Sequence, residues 1–361
     1  MSDAAAEPSA GGDEPGAGRI TRARALLLVA FAVAVTLALY LFVPRLAGLD
    51  ETWQRIKQGS PAWLALAFGF ELLSFGGYIL LFRTVFADTA DRIGWRASYE
   101  ISMGGVVATR LLAAGGAGGI AFTAWALTRF GLGAREVAAR MTAFLVLLYA
   151  VFMAALVVDG LGLWLGLIPG PAPFGLTVGA AILGGSVIVI ALAMSATPRD
   201  LPARARESIS EERPRLATVL KWLATVPATM GRGVRGAMRL ARREPLRSLG
   251  GAIAWWGFDI ATLWACFHAF GGTPAAGVIV LAYFVGMLGN LLPLPGGIGG
   301  VEGGMIGAFA AFGVNGGLAL VAVLAYRGFA FWLPMVPGLI AYLTLRRTIR
   351  REGEATPSPA S

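Results

Sequence analysis

The sequence predicts an all-α, polytopic membrane protein of about eight spans, with two glycine-centred re-entrant hairpins arranged as inverted repeats. Three observations carry this prediction. Of 361 residues, 57% are hydrophobic and 14% charged, with a mean hydropathy of +0.69, outside the roughly 45–50% apolar and 25% charged composition of soluble domains. Apolar runs recur along the chain at about the 20 residues needed to cross a bilayer core. Basic residues gather at alternate ends of those runs, as the positive-inside rule requires.

Residues 1–18, rich in Ala, Gly, Pro, Ser and acid, have the composition of a disordered cytoplasmic tail. Arg19, Arg22 and Arg24 precede the apolar run 25–43, which is longer than the core of a signal peptide and reads as an uncleaved first span with its amino terminus inside. The second span covers 63–82, and Arg83, Arg92 and Arg96 mark its cytoplasmic end. A hairpin follows, with arms 99–112 and 120–128 around GGAGG at 115–119. Each arm is too short to cross comfortably at about 1.5 Å per residue.

Spans at 141–163 and 174–194 flank the uncharged loop PGPAP, 169–173. Between Ser195 and Arg247 stand twelve Lys or Arg against five Asp or Glu, a concentration that marks a cytoplasmic loop. Within that loop, 198–247, the residues Leu216, Val219, Leu220, Leu223, Val226, Met230, Val234 and Met238 recur at helical spacing. Arg232, Arg235, Arg239 and Arg242 fall on the opposite face, the pattern of an interfacial helix drawn to anionic headgroups. A span at 249–270 leads to the uncharged GGTP, and the arms 275–292 and 301–312 enclose LPLPGGIGG as a second glycine hairpin. The last span, 318–345, closes on four arginines, which puts the carboxyl terminus and the tail 352–361 inside. Residues 19–351 thus read as one transmembrane domain.

The net charge of +9 would suggest nucleic acid in a soluble protein. Here most of it lies in one loop between spans, so no nucleic-acid partner is expected. Cys266 is the only cysteine and His268 the only histidine, so the chain assembles neither a disulfide nor a Cys/His zinc site. No cofactor or metal is expected.

The two glycine runs align: GGAGG at Gly115 matches GGIGG at Gly296, and Phe130–Gly131 matches Phe312–Gly313 downstream. By the order of crossings, the first hairpin is entered from the cytoplasm and the second from outside. Broken helices in inverted repeats place binding sites near the bilayer midplane. The alternative is a set of close helix-packing surfaces.

Charges at membrane depth single out the candidate site. A charge at the centre of a spanning helix costs about 2.5–3.5 kcal/mol on insertion scales, so it faces a partner or a wet cavity. Glu302 and Arg327 stand beside the Pro295, Gly296, Gly297, Gly299 loop and are expected to be functional. Glu71, Arg110, Asp159 and Asp259 are candidates for an intramembrane polar site. Glu136 and Arg140, four apart in the favourable order, read as a structural helix pair.

The runs NLLPLPGGIGGVEGGMIGAF (290–309) and LAYRGFAFWLPMVPGLI (324–340) resemble the carboxyl-terminal signature of the lysylphosphatidylglycerol synthase transmembrane region, or flippase-like domain. In that family the motif reads Pro-Gly-Gly, Gly, a short gap, Glu, and an Arg in the last helix. Pro295, Gly296, Gly297, Gly299, Glu302 and Arg327 match it, which implies that they bind or gate a lipid. The family's first motif carries a proline, an Arg and a Glu around its glycines, whereas AAGGAGGIAF here lacks all three. Two-domain relatives add a soluble aminoacyl-transferase domain, and only sixteen residues follow Leu345.

The resemblance therefore implies an inner-membrane protein with both termini cytoplasmic, translocating a phospholipid or lipid-linked headgroup rather than synthesising one. Membrane lipids, anionic phospholipid above all, are the expected partners, and a homo-oligomer is left open. The competing reading is an integral-membrane enzyme or accessory subunit in lipid-linked glycan or aminoacyl-lipid metabolism. An enzyme of that kind calls for an Asp-x-Asp motif or paired carboxylates near a wet loop, and the sequence displays neither.

Overall fold

A computed structural model describes residues 58–86, 93–111, 117–196, 230–292 and 294–355, all within the unit Leu49–Ser361. The expected first span, the amino-terminal tail, residues 112–116 at the first hairpin's tip and residues 197–229 of the basic loop lie outside the described residues.

The described residues form helices and turns, with no strand among them. The helices are α1 (Pro61–Val85), α2 (Trp95–Leu111), α3 (Ala117–Arg129), α4 (Ala134–Trp164), α5 (Phe174–Ser195), α6 (Pro245–Ala269), α7 (Ala276–Met287), α8 (Gly300–Ala311), α9 (Gly316–Arg327) and α10 (Met335–Ala355). A further helical segment, 230–243, precedes α6 and includes the end of the expected amphipathic stretch. Four of these stretches are long and apolar enough to cross a membrane: α1, α4, α5 and the run Gly316–Thr348 that joins α9 to α10. The chain is a multi-pass membrane protein. α6 equals α1 in length but mixes Asp259, tryptophans and glycines into its apolar sequence, and so falls short of those four on composition. α3, α7 and α8, of 13, 12 and 12 residues, are shorter than the roughly 20 a crossing needs.

α1 and α6 lie antiparallel in close contact. The register is fixed by Ser60 N–H donating to the Ala269 carbonyl at 2.9 Å and by Ser74 Oγ donating to the Trp255 carbonyl at 2.8 Å. Glycine permits the approach: a Cβ on Gly77 would stand 2.7 Å from Trp255 N and 2.8 Å from Gly251 O. Small residues at such crossings replace the hydrophobic effect, which is absent between helices in lipid, by close van der Waals contact.

Two helix ends are built alike. After α3, Gly131 takes a left-handed φ of 80°, its N–H donates to Thr128, and Leu132 N–H reaches Leu127. After α8, Gly313 takes a φ of 79°, with Gly313 donating to Ala310 and Val314 to Phe309. Both are Schellman caps, in which only glycine turns without a Cβ penalty. Each follows a long helix and two short ones, and each leads into another apolar helix.

The last span expected at 318–345 is broken. Gly328–Trp332 form a π-turn between α9 and α10, with Leu333 N–H donating to the Gly328 carbonyl five residues back. Pro334 stands just beyond and has no N–H for the carbonyl four residues before it, which favours such a bulge.

Candidate functional site

The second glycine loop is a short turn that fixes one ion pair. Gly296, Gly297 and Gly299 all take positive φ, of 58°, 67° and 83°, a region closed to most side chains. At Gly296 a Cβ would also run into the Phe331 ring. Gly299 is the N-cap of α8, and its N–H donates to Glu302 Oε2 at 2.7 Å. The other oxygen of Glu302 accepts from Arg327 Nε at 2.7 Å, and Arg327 Nη2 donates to the Gly296 carbonyl at 3.1 Å. Glu302 and Arg327 are both buried. The carboxylate thus caps a helix amino terminus, where negative charge is favoured, while the guanidinium staples the turn. Pro295 begins this turn.

Arg110 reaches the π-turn from α2, donating to the Phe331 carbonyl at 3.0 Å and the Ala330 carbonyl at 2.5 Å. Its guanidinium and that of Arg327 both lie on the Phe331 ring, at 5.4 and 4.6 Å from the centroid. The ring's electron-rich face thus attracts both cations. Arg327 has Glu302 as counter-ion. Arg110 forms no ion pair with a described residue; its hydrogen bonds go to neutral carbonyls.

Glu71 on α1 and Asp259 on α6 stand at the same level of the antiparallel helix pair, between the Thr262–Ala67 and Ser74–Trp255 hydrogen bonds. They are 1% and 4% exposed. The Tyr283 and Tyr326 hydroxyls both donate to Asp259 Oδ2, the latter at 3.0 Å. Glu71 Oε2 and Asp259 Oδ1 have no hydrogen-bond donor among the described residues.

These groups line one cavity of about 360 Å³. Glu71, Arg110, Asp259, Gly296, Gly297 and Arg327 contribute to its wall, so most of the residues expected from the sequence come together. Both hairpins contribute: Thr109 and Gly119 from the first, Asn290 and Gly297 from the second. The first hairpin differs from expectation in its backbone. Residues 117–119 of GGAGG are the first turn of α3 rather than a loop, and Gly119 lies where a Cβ would meet Thr109 and the Gly105 carbonyl, a packing role.

Asp159 stands apart from the cavity. Its carboxylate lies between α4 and Gly277 of α7, is 7% exposed, and has no partner for Oδ2 among the described residues. Glu136 and Arg140 pair at 3.0 Å, and Arg140 also donates to the Val85 carbonyl, tying α4 to the end of α1. The sequence reading missed Tyr283, Tyr326, Asn290 and Phe331. The tyrosines could be found only by their hydroxyls in otherwise apolar runs.

Comparison with known proteins adds the family context. The lysylphosphatidylglycerol synthase TM region matches residues 27–338. Two UPF0104 membrane proteins of Methanothermobacter thermautotrophicus are similar, one 36% identical over 91 residues and the other 37% over 86. These alignments cover 25% and 24% of this chain and 26% of each relative, so the chain spans about a quarter of the length of the curated relatives it matches.

Proposed function

The chain belongs to the lysylphosphatidylglycerol synthase TM region family, and on that premise we propose that it is a flippase-like translocator. It moves a phospholipid or lipid-linked headgroup through the polar cavity between its two glycine hairpins. The observation that carries this reading is the cavity of about 360 Å³ walled by two carboxyls and two guanidiniums in an otherwise apolar helix bundle. Charged groups at such depth are costly unless they serve a path for polar cargo. Arg110, held by carbonyls rather than by a carboxylate, keeps its positive charge available to a phosphate. Anionic phospholipid is the partner that fits it.

The hairpins act as re-entrant elements in inverted repeats, within about eight spans. The antiparallel α1–α6 pair and the twin Schellman caps support this arrangement, since a two-fold axis in the membrane plane reverses matching helices. The protein resides in the inner membrane with both termini cytoplasmic. Cysteine labelling tests the orientation: Ala172→Cys, in a Cys266→Ala background, is expected to react from outside.

The test of function is reconstitution. Vesicles holding the protein and a trace of labelled phosphatidylglycerol, phosphatidylethanolamine or phosphatidylcholine are expected to move at least one headgroup between leaflets faster than empty vesicles. Movement no faster than in empty vesicles for every headgroup would remove the translocator reading.

A further inference from the structure

We infer that the Glu71–Asp259 pair is a proton site, and that its loading is linked to occupancy of the cavity by a phosphate anion, one proton entering with each negative charge. The inference rests on the translocator reading and names what is coupled to it.

The starting observation is a pair of orphaned oxygens. Glu71 Oε2 and Asp259 Oδ1 are buried without a donor, and a buried acceptor left unpaired is costly. The two carboxyls nevertheless stand at the same level of the α1–α6 pair, between the Thr262–Ala67 and Ser74–Trp255 hydrogen bonds, and both open on the same cavity. One proton between them satisfies both. Tyr283 and Tyr326 occupy Asp259 Oδ2 as donors, which leaves the shared proton to Glu71 and Asp259 Oδ1. Both carboxyls line the cavity, so the proton has a route to the ligand space.

Charge balance then sets the coupling. Glu302 and Arg327 cancel. The pair with one proton carries a single negative charge, which balances Arg110. The other ionisable groups facing the pair are Tyr78 on α1, Tyr149 on α4, Cys266 on α6, and the two tyrosines on α7 and α9. All five are neutral as acids. A phosphate monoanion arriving at Arg110 therefore leaves the cavity one charge negative. A second proton, taken from the aqueous phase to form an O–H bond on the remaining carboxylate, restores neutrality. No electron moves and no other bond changes. Separated charge in a weakly polar interior is expensive, so the anion and the proton bind together and travel in the same direction.

Linkage fixes the sign: a ligand whose binding takes up a proton binds more tightly as pH falls. The test uses the full chain in detergent, in weak buffer with a pH indicator. Three probes are titrated: dihexanoyl-phosphatidylglycerol (one negative charge), dihexanoyl-phosphatidylcholine (net neutral) and dimethyl phosphate (the same anion without chains). The expected result is uptake of about one proton per phosphatidylglycerol bound and none with phosphatidylcholine. Affinity for phosphatidylglycerol should fall about tenfold per pH unit on the alkaline side. In the double variant E71Q/D259N, at whatever affinity it retains, each phosphatidylglycerol bound should bring no proton, and binding should not depend on pH. Each single variant keeps one carboxyl and should keep the uptake.

Phosphatidylglycerol binding by the wild-type chain with no proton uptake would overturn the linkage while leaving the translocator reading standing. So would uptake that persists in the double variant. Proton uptake with dimethyl phosphate but no binding of phosphatidylglycerol would support the linkage and overturn the lipid reading. Failure of all three probes to bind would overturn both.

Discussion

Arg110 gives the Ala330 carbonyl, 220 residues away in sequence, a hydrogen bond of 2.5 Å where the α-helical donor would be Pro334, which has no N–H. The break in the last span and the cation in the cavity are therefore one device. Arg110→Gln is expected to lower stability by about 1–3 kcal/mol, the cost of a buried carbonyl left unpaired, measured by thermal unfolding in detergent. Adding Pro334→Ala, which restores an N–H, should return most of that stability but not phosphatidylglycerol binding. Recovery of both would reduce Arg110 to a carbonyl cap.

Glu302 has two tasks, capping α8 through Gly299 and neutralising Arg327. Glu302→Gln keeps one acceptor oxygen in place, so it should cost less stability than losing the side chain's polar head altogether, while abolishing lipid movement. Arg327→Met, which strands the buried carboxylate, should cost about 3–5 kcal/mol. Replacing both by apolar residues of similar size should restore stability and leave the protein inactive. Full lipid movement in that double variant would make the pair packing alone.

Gly296 and Gly299 separate strain from crowding. Both have positive φ, so alanine at either adds about 1–2 kcal/mol of left-handed strain. Only at Gly296 does the added Cβ strike the Phe331 ring, whereas the space around Gly299 is open. Gly296→Ala should thus lower the unfolding temperature more than Gly299→Ala, and Phe331→Leu should narrow the gap.

Gly77 and Gly76 make a similar contrast on α1. A Cβ at Gly77 meets the backbone of α6, while Gly76 has nothing within 4 Å. Gly77→Ala is expected to destabilise the helix pair. Gly76→Ala should be neutral or stabilising by up to about 1 kcal/mol, from helix propensity. Equal effects in unfolding measurements would contradict the α1–α6 register.

Much of the site was legible in the sequence because charge in lipid is conspicuous. Glu71, Arg110, Asp259 and Arg327 each stood out against apolar neighbours, and all four line the cavity. What could not be read was register. That Glu71 stands level with Asp259 follows from the antiparallel seating of α1 on α6, set by contacts such as Ser74 with Trp255, which no local pattern encodes. Asp159 looked equivalent from its cost in the membrane, yet packs elsewhere. The π-turn was missed because Pro334 lies in a run otherwise apolar enough to read as continuous helix. Tyr283 and Tyr326 escaped notice because a tyrosine ring suits a membrane core and only its hydroxyl partner reveals the role.

The seating of α1 against α6 also has a consequence for biogenesis. Glu71 leaves the ribosome about 190 residues before Asp259, a delay on the order of 10–40 s at typical elongation rates. Throughout that interval the nascent first half carries an unpartnered acid and a bare glycine stripe at Gly77. A membrane insertase or chaperone that shelters α1 until α6 emerges would raise the yield of intact protein. Truncation after residue 200 should leave a fragment prone to degradation, whereas supplying residues 201–361 as a separate polypeptide should rescue it.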